Sequence, residues 1–177
     1  MYSIASLFET DPPGPWQNVE SLCASSEVTM HTLPHFSWQS ADNYQLEPLK
    51  SRLTTLTRNI PSFKFHTSGL GVFSNDRKIL FLIIVKTRPL LEMHEMLWNE
   101  LFEFAETPKL HYSPENWIPH ISINLNKLAE PQFLCTFSEL VKYELQFEFE
   151  VNQFGLLYLN QENAGIDTIF PLKRPES

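Results

Sequence analysis

Two short segments of this 177-residue chain place an imidazole and a hydroxyl two residues apart in the same setting: Leu33-Pro34-His35-Phe36-Ser37-Trp38 and Ile118-Pro119-His120-Ile121-Ser122-Ile123. Both read apolar, Pro, His, apolar, Ser, apolar. Side chains alternate across a strand, so His35 and Ser37 share one face while Phe36 and Trp38 share the other, and the same parity pairs His120 with Ser122. Imidazoles titrate near pH 6.5, so two of them at neutral pH can act as one acid and one base, with the hydroxyls as donors to an anionic oxygen. No carboxylate-rich ligand set accompanies them, so no metal and no other cofactor is expected.

A His-x-Ser/Thr triplet alone means little, because 26 of the 177 residues are Ser or Thr and six histidines give about one such triplet by chance. His111-Tyr112-Ser113, between Pro108 and Pro114, reads as that coincidence in a loop. Requiring a preceding Pro and alternating apolar neighbours lowers the chance expectation to roughly 0.01 matches per chain, and two occur. A lone strand histidine is usually a core residue bonded to backbone carbonyls; His94, in a helix, and His66, in a strand beside Thr67, have no matched partners and are read as structural. The matched pair is not. His31, with the strand parity of His35, reads first as a surface histidine, the border of the same face being the alternative.

Elements able to position the pair follow from periodicity. Tyr2 to Phe8 reads as a strand ended by the proline-rich stretch Asp11 to Pro15, and a short helix through Trp16, Val19, Leu22 and Cys23 follows. Thr29 to Trp38 is a strand, Leu46 to Ile60 a helix with apolar residues every three or four positions, and Phe63 to Phe73 a strand. The order then recurs: strand Lys78 to Lys86, helix Leu90 to Ala105, strand Trp117 to Leu125, helix Pro131 to Tyr143, strand Phe147 to Leu159. Corresponding elements lie about 75 to 86 residues apart, and the two histidines 85 apart. The chain therefore reads as one bilobal domain, 1–177, with repeat halves 1–76 and 77–177.

Composition bounds the function. Apolar residues make up 42% and aromatics number 23, enough for a packed core. No apolar run nears a membrane span, and no basic, apolar leader opens the chain, so membrane association is not expected. Cys23 and Cys135 stand apart and read as lone thiols in a reducing, cytoplasmic setting. The net charge of −8 argues against tight binding to long nucleic acid. Residues 1–88 hold 8 Lys/Arg against 7 Asp/Glu and residues 89–177 hold 5 against 14, so a phosphate-bearing ligand finds its cations in the first half.

The paired motifs, the opening strand Tyr2-Ser3-Ile4-Ala5-Ser6-Leu7, the apolar run Leu80-Phe81-Leu82-Ile83-Ile84-Val85 and the Trp117-x-Pro119-His120 approach together resemble the 2H phosphoesterase superfamily, which includes 2′-5′ RNA ligase-like proteins and 2′,3′-cyclic nucleotide phosphodiesterases. The resemblance implies an α+β fold of two lobes related by a pseudo-twofold axis. Each lobe would be a small, mostly antiparallel sheet with helices outside, with an active-site groove between them. It implies a metal-independent phosphoesterase acting on 2′,3′-cyclic phosphates or 2′-5′ linkages of RNA ends or small nucleotides, with ligation as the reverse. His35 and His120 would be catalytic, and Ser37 and Ser122 would bind the phosphate. Ser stands where Thr is commoner in the family, which keeps the donor and removes a methyl. The residues alone leave acid and base unassigned; the resemblance favours His120 as base and His35 as acid. Tyr2, Trp38 and Tyr158 are candidates to stack on a base. The partner is a nucleotide or RNA terminus carrying a cyclic phosphate, not a long duplex, bound by a monomer. The alternative is a non-catalytic nucleotide or RNA-end binding module on the same fold.

Overall fold

The structure is a computed structural model that describes residues 1–7, 34–74, 78–123, 129–160 and 163–174. Nine strands are described: β1 (Tyr2–Leu7), β2 (His35–Tyr44), β3 (Phe63–Phe73), β4 (Ile79–Ile84), β5 (Ala105–Pro108), β6 (His120–Ser122), β7 (Glu148–Val151), β8 (Gln153–Leu159) and β9 (Ala164–Pro171). The helices are α1 (Leu46–Thr57), α2 (Arg88–Leu101) and α3 (Glu130–Leu140). α2 starts where the Thr87 hydroxyl accepts from the Leu90 amide and Pro89 occupies the first turn. Its buried stripe of Leu90, His94, Leu97, Trp98 and Leu101 follows the helical period.

The strands form two antiparallel sheets, ordered β5-β2-β1-β8-β9 and β6-β4-β3-β7. The architecture is α+β, as expected. The order β2-β1-β8 in one sheet repeats as β6-β4-β3 in the other: a motif strand, the strand opening its repeat, and the third strand of the opposite repeat. Each sheet thus draws strands from both halves of the chain, so the sequence halves are not the sheets. One core runs through both, from Ile4, Phe36, Trp38 and Phe154 to Phe65, Leu80, Ile121 and Val151.

Several boundaries differ from the sequence reading. Of the strand expected over Thr29 to Trp38, 29–33 lie outside the described residues; β2 starts at His35, after Pro34, which has no amide to donate to a ladder, and runs on to Tyr44. β6 is only three residues long, and 124–128 lie outside the described residues. The single strand expected over Phe147 to Leu159 is two. It breaks at Asn152, where the chain passes from β3's sheet to β1's, and the Leu172 amide donates to the Asn152 carbonyl at 2.8 Å. β5 and β9 were not anticipated. The helix expected near Trp16 to Cys23, and His31, lie outside the described residues.

Cys135 on α3 is disulfide-bonded, and no free cysteine stands among the described residues. That corrects the reading of lone thiols and removes its support for a reducing setting. No helix among the described residues is long and apolar enough to cross a membrane.

Candidate active site

The first motif opens β2. His35 pairs with Leu7 and Ser37 with Ala5, both half-exposed, while Phe36 and Trp38 are buried on the opposite face. Between Ile4 and Ala5 the register slips by one, so Trp38 is passed over. The slip brings Ser40 to the same side as Ser37: the Ser3 hydroxyl lies 2.8 Å from Ser37 Oγ and 2.7 Å from Ser40 Oγ. Ser3 has one proton to give. When it donates to Ser37 it accepts from Ser40, and Ser37 keeps its own proton to donate elsewhere.

The second motif is β6. His120 pairs with Ile83 and Ser122 with Phe81, the counterpart of His35 beside Leu7 and Ser37 beside Ala5. His120 Nδ1 lies 2.7 Å from the Ile118 carbonyl, which can only accept, so Nδ1 carries the proton and Nε2 keeps its lone pair. The ring is held edgewise by Phe73 at 4.9 Å and Phe81 at 5.1 Å, and these two stack on each other at 4.1 Å. Gly71 makes that possible: a Cβ there would sit 2.4 Å from the Phe81 ring. Burial pushes the His120 pKa below the ordinary imidazole value, and charge on His35 or His111 pushes the same way, against the bond to Ile118. His120 is accordingly neutral at pH 7. The Ser122 hydroxyl makes no hydrogen bond among the described residues.

Although β2 and β6 belong to different sheets, they pack side by side. Trp117 ties them: its indole N–H donates to the Ser37 carbonyl at 3.0 Å, linking the approach to one motif with the backbone of the other. Its ring stacks on His94 at 3.8 Å and on Trp38 at 5.4 Å. His94 is 1% exposed and its Nε2 donates to the Trp38 carbonyl at 3.0 Å. Burial lowers the His94 pKa to about 4, against the Trp38 and Tyr112 carbonyls, so it is a neutral structural residue, as read from the sequence.

Of the three stacking candidates, Trp38 is not available to a base. Trp38 is 0% exposed, its indole N–H donating to Ser6 Oγ at 2.9 Å inside the core. Tyr2 pairs with Tyr158 at the end of β1 opposite Leu7, about 17 Å along the strand from the His35 pairing at about 3.4 Å per residue. Sequence reasoning missed the other wall. A pocket of about 70 Å³ beside His120 is lined by Phe73, His111, Tyr112, Asn116 and Ile118. His111 is the triplet dismissed as chance; only its repeated His-x-Ser spacing marked it, and that spacing is common.

The model of the 2'-5' RNA ligase superfamily matches residues 12–163. A Bacillus cereus (strain B4264) protein named "putative phosphoesterase" is 24% identical over 128 residues, 71% of this chain and 70% of its own. A crystal structure of a phosphoesterase aligns at TM-score 0.58 and 15% identity, covering 97% of each chain. Escherichia coli LigT, solved with ATP, aligns at TM-score 0.56 and 14% identity over 97% of this chain and 96% of its own. Both structures share the two-sheet fold. With a family match over most of its length and both His-x-Ser motifs set on adjoining strands, the chain belongs to the 2'-5' RNA ligase superfamily, the 2H phosphoesterases.

Proposed function

We propose that this protein is a metal-independent phosphoesterase that opens 2′,3′-cyclic phosphates, or cleaves 2′-5′ linkages, at RNA ends or on small nucleotides. The observation that carries this reading is the symmetry of the motifs: an imidazole and a hydroxyl on the same face of each of two adjoining strands. His120, neutral with Nε2 free of the Ile118 bond, is the base that takes a proton from water. As water attacks phosphorus, the ring P–O bond breaks and His35, on the other side, protonates the departing ribose oxygen. Ser37 and Ser122 donate to the non-bridging oxygens. Acid, base and donors are all side chains, so no step requires a metal.

Charge supports a small ligand. Of the first-half cations, Lys50, Arg52, Lys64, Lys78 and Arg88 are each engaged with a carboxylate, of Asp167, Glu100, Glu148, Glu130 and Glu92 respectively. Paired cations offer little to a long polyanion. LigT structures with ATP, 3'-AMP and phosphate support a nucleotide ligand for this chain. The test is incubation with a nucleoside 2′,3′-cyclic phosphate in excess EDTA, following conversion to the monoester. Steady turnover is expected. A folded chain that binds the cyclic phosphate and leaves it intact would be a binding module.

A further inference from the structure

The two-histidine mechanism leaves His111 unused, yet the fold delivers it to the wall of the pocket that His120 also lines. The 3-10 turn that carries it, Leu110–Tyr112, is braced on every side. The Lys109 amide donates to the Ser40 carbonyl at 2.8 Å, and Lys109 Nζ pairs with Asp42 at 2.5 Å. Asn116 Nδ2 donates to Ser113 Oγ at 3.0 Å and to the Leu110 carbonyl at 3.4 Å. The His111 ring packs on Tyr112 at 4.5 Å, and the Tyr112 carbonyl faces buried His94.

The volume and lining of the pocket indicate what it holds. A cavity of about 70 Å³ has room for a few waters, or for one phosphoryl group in their place. Its polar contributors are the two imidazoles and Asn116, and the rest of the wall is Phe73, Tyr112 and Ile118. An imidazole at such a wall serves an anion best when it is charged.

We propose that His111 is a phosphate-binding residue selective for dianionic phosphomonoesters, taking up a proton as such a group enters the pocket. The inference rests on the phosphoester site proposed above and identifies the ligand form that site holds most tightly. A cyclic diester carries one negative charge, whereas a monoester carries between one and a half and two at neutral pH. The second charge is what a third imidazole can answer. Without a bound anion His111 is disposed to remain neutral: partial burial and Lys109 oppose its charging, and charges on His35 and His111 both disfavour charge on His120. Among the described residues Lys109, His120 and Tyr112 are the titratable groups beside His111, and a bound anion reverses the bias of the two that can carry positive charge. The ring-opened product is thus held more tightly than the cyclic substrate, and release of product is opposed by the residue that captures it.

Isothermal titration at pH 7 with a nucleoside 3′-monophosphate, repeated in two buffers of different ionisation enthalpy, measures the proton taken up. Wild-type protein should take up a substantial fraction of one proton and bind the monoester more tightly than a non-hydrolysable diester. His111→Gln should abolish most of the uptake and weaken monoester binding about tenfold or more, the usual scale for a charged hydrogen bond. His111→Arg, permanently charged, should retain the affinity without the uptake, and circular dichroism checks that both variants are folded. Unchanged affinity and uptake in folded His111→Gln would overturn the inference. Turnover of the cyclic phosphate by wild type is scored separately. Uptake that depends on His111 without turnover supports this inference and sinks the hydrolase reading; turnover with binding indifferent to His111 does the reverse.

Discussion

Replacing His120 by Ala is expected to leave a folded protein whose kcat/KM on a nucleoside 2′,3′-cyclic phosphate is at least about 100-fold below wild type, and replacing His35 by Ala should cost as much. Removal of a general acid or base usually costs 100- to 10,000-fold. The two losses should not multiply in the double variant, because base and acid act on the same transition state. His120→Ala also opens a hole between Phe73 and Phe81, so His120→Asn, which keeps a donor toward the Ile118 carbonyl, is the cleaner variant, with thermal midpoints measured alongside. A variant that turned over at the wild-type rate would strip that histidine of its role.

The second large effect is on stability. His94 has a pKa of about 4 in the folded protein and near 6.5 in the unfolded chain. The unfolded state therefore binds the extra proton between those values, and the contribution is fully present above about pH 6.5 and lost as pH falls toward 4. Two and a half pKa units correspond to about 3 kcal/mol. Urea midpoints at pH 7 and pH 4.5 measure the loss, with His94→Gln as the reference in which this one titration is absent. Wild type should lose about 2 to 3 kcal/mol more than His94→Gln over that interval, and parallel losses would contradict the assignment. Because His94 bonds to the Trp38 carbonyl and stacks on Trp117, the indole that reaches Ser37, acid should loosen the junction of the two motifs before the rest of the core.

What the sequence made legible was local. The alternation Pro-His-apolar-Ser-apolar already placed His35 and Ser37 on one face and Phe36 on the other, since parity is a property of any strand. Helices α1, α2 and α3 were readable from apolar spacing, and β3 was read to its observed limits, Phe63–Phe73. What failed was whatever depends on partners distant in the chain. Aromatic character alone made Trp38 a stacking candidate, although strand parity sets it with Phe36 on the face away from His35, where it is buried. Where Tyr2 lies relative to His35 along β1 depends on a register that only the pairing with β2 and β8 sets. Over Phe147 to Leu159 apolar residues alternate with Glu148 and Glu150 and then continue past Asn152-Gln153, a pattern one strand also satisfies, and only the partners β3 and β1 show that the chain changes sheets at Asn152. His111 was unreadable for a different reason: it reaches His120 through a 3-10 turn held by Asn116 and by contacts to Ser40 and Asp42, which lie far away in the chain.

The central claim is that two imidazoles, one neutral and one charged, open a cyclic phosphate without a metal, and the pH dependence of kcat/KM in the presence of EDTA tests it most directly. A bell-shaped profile is predicted, with its ascending limb below pH 6.5, because burial and the neighbouring histidines lower the pKa of the base His120. In folded His120→Asn that limb should be lost with the activity. A flat profile, or activity abolished by EDTA and restored by a divalent cation, would contradict the account.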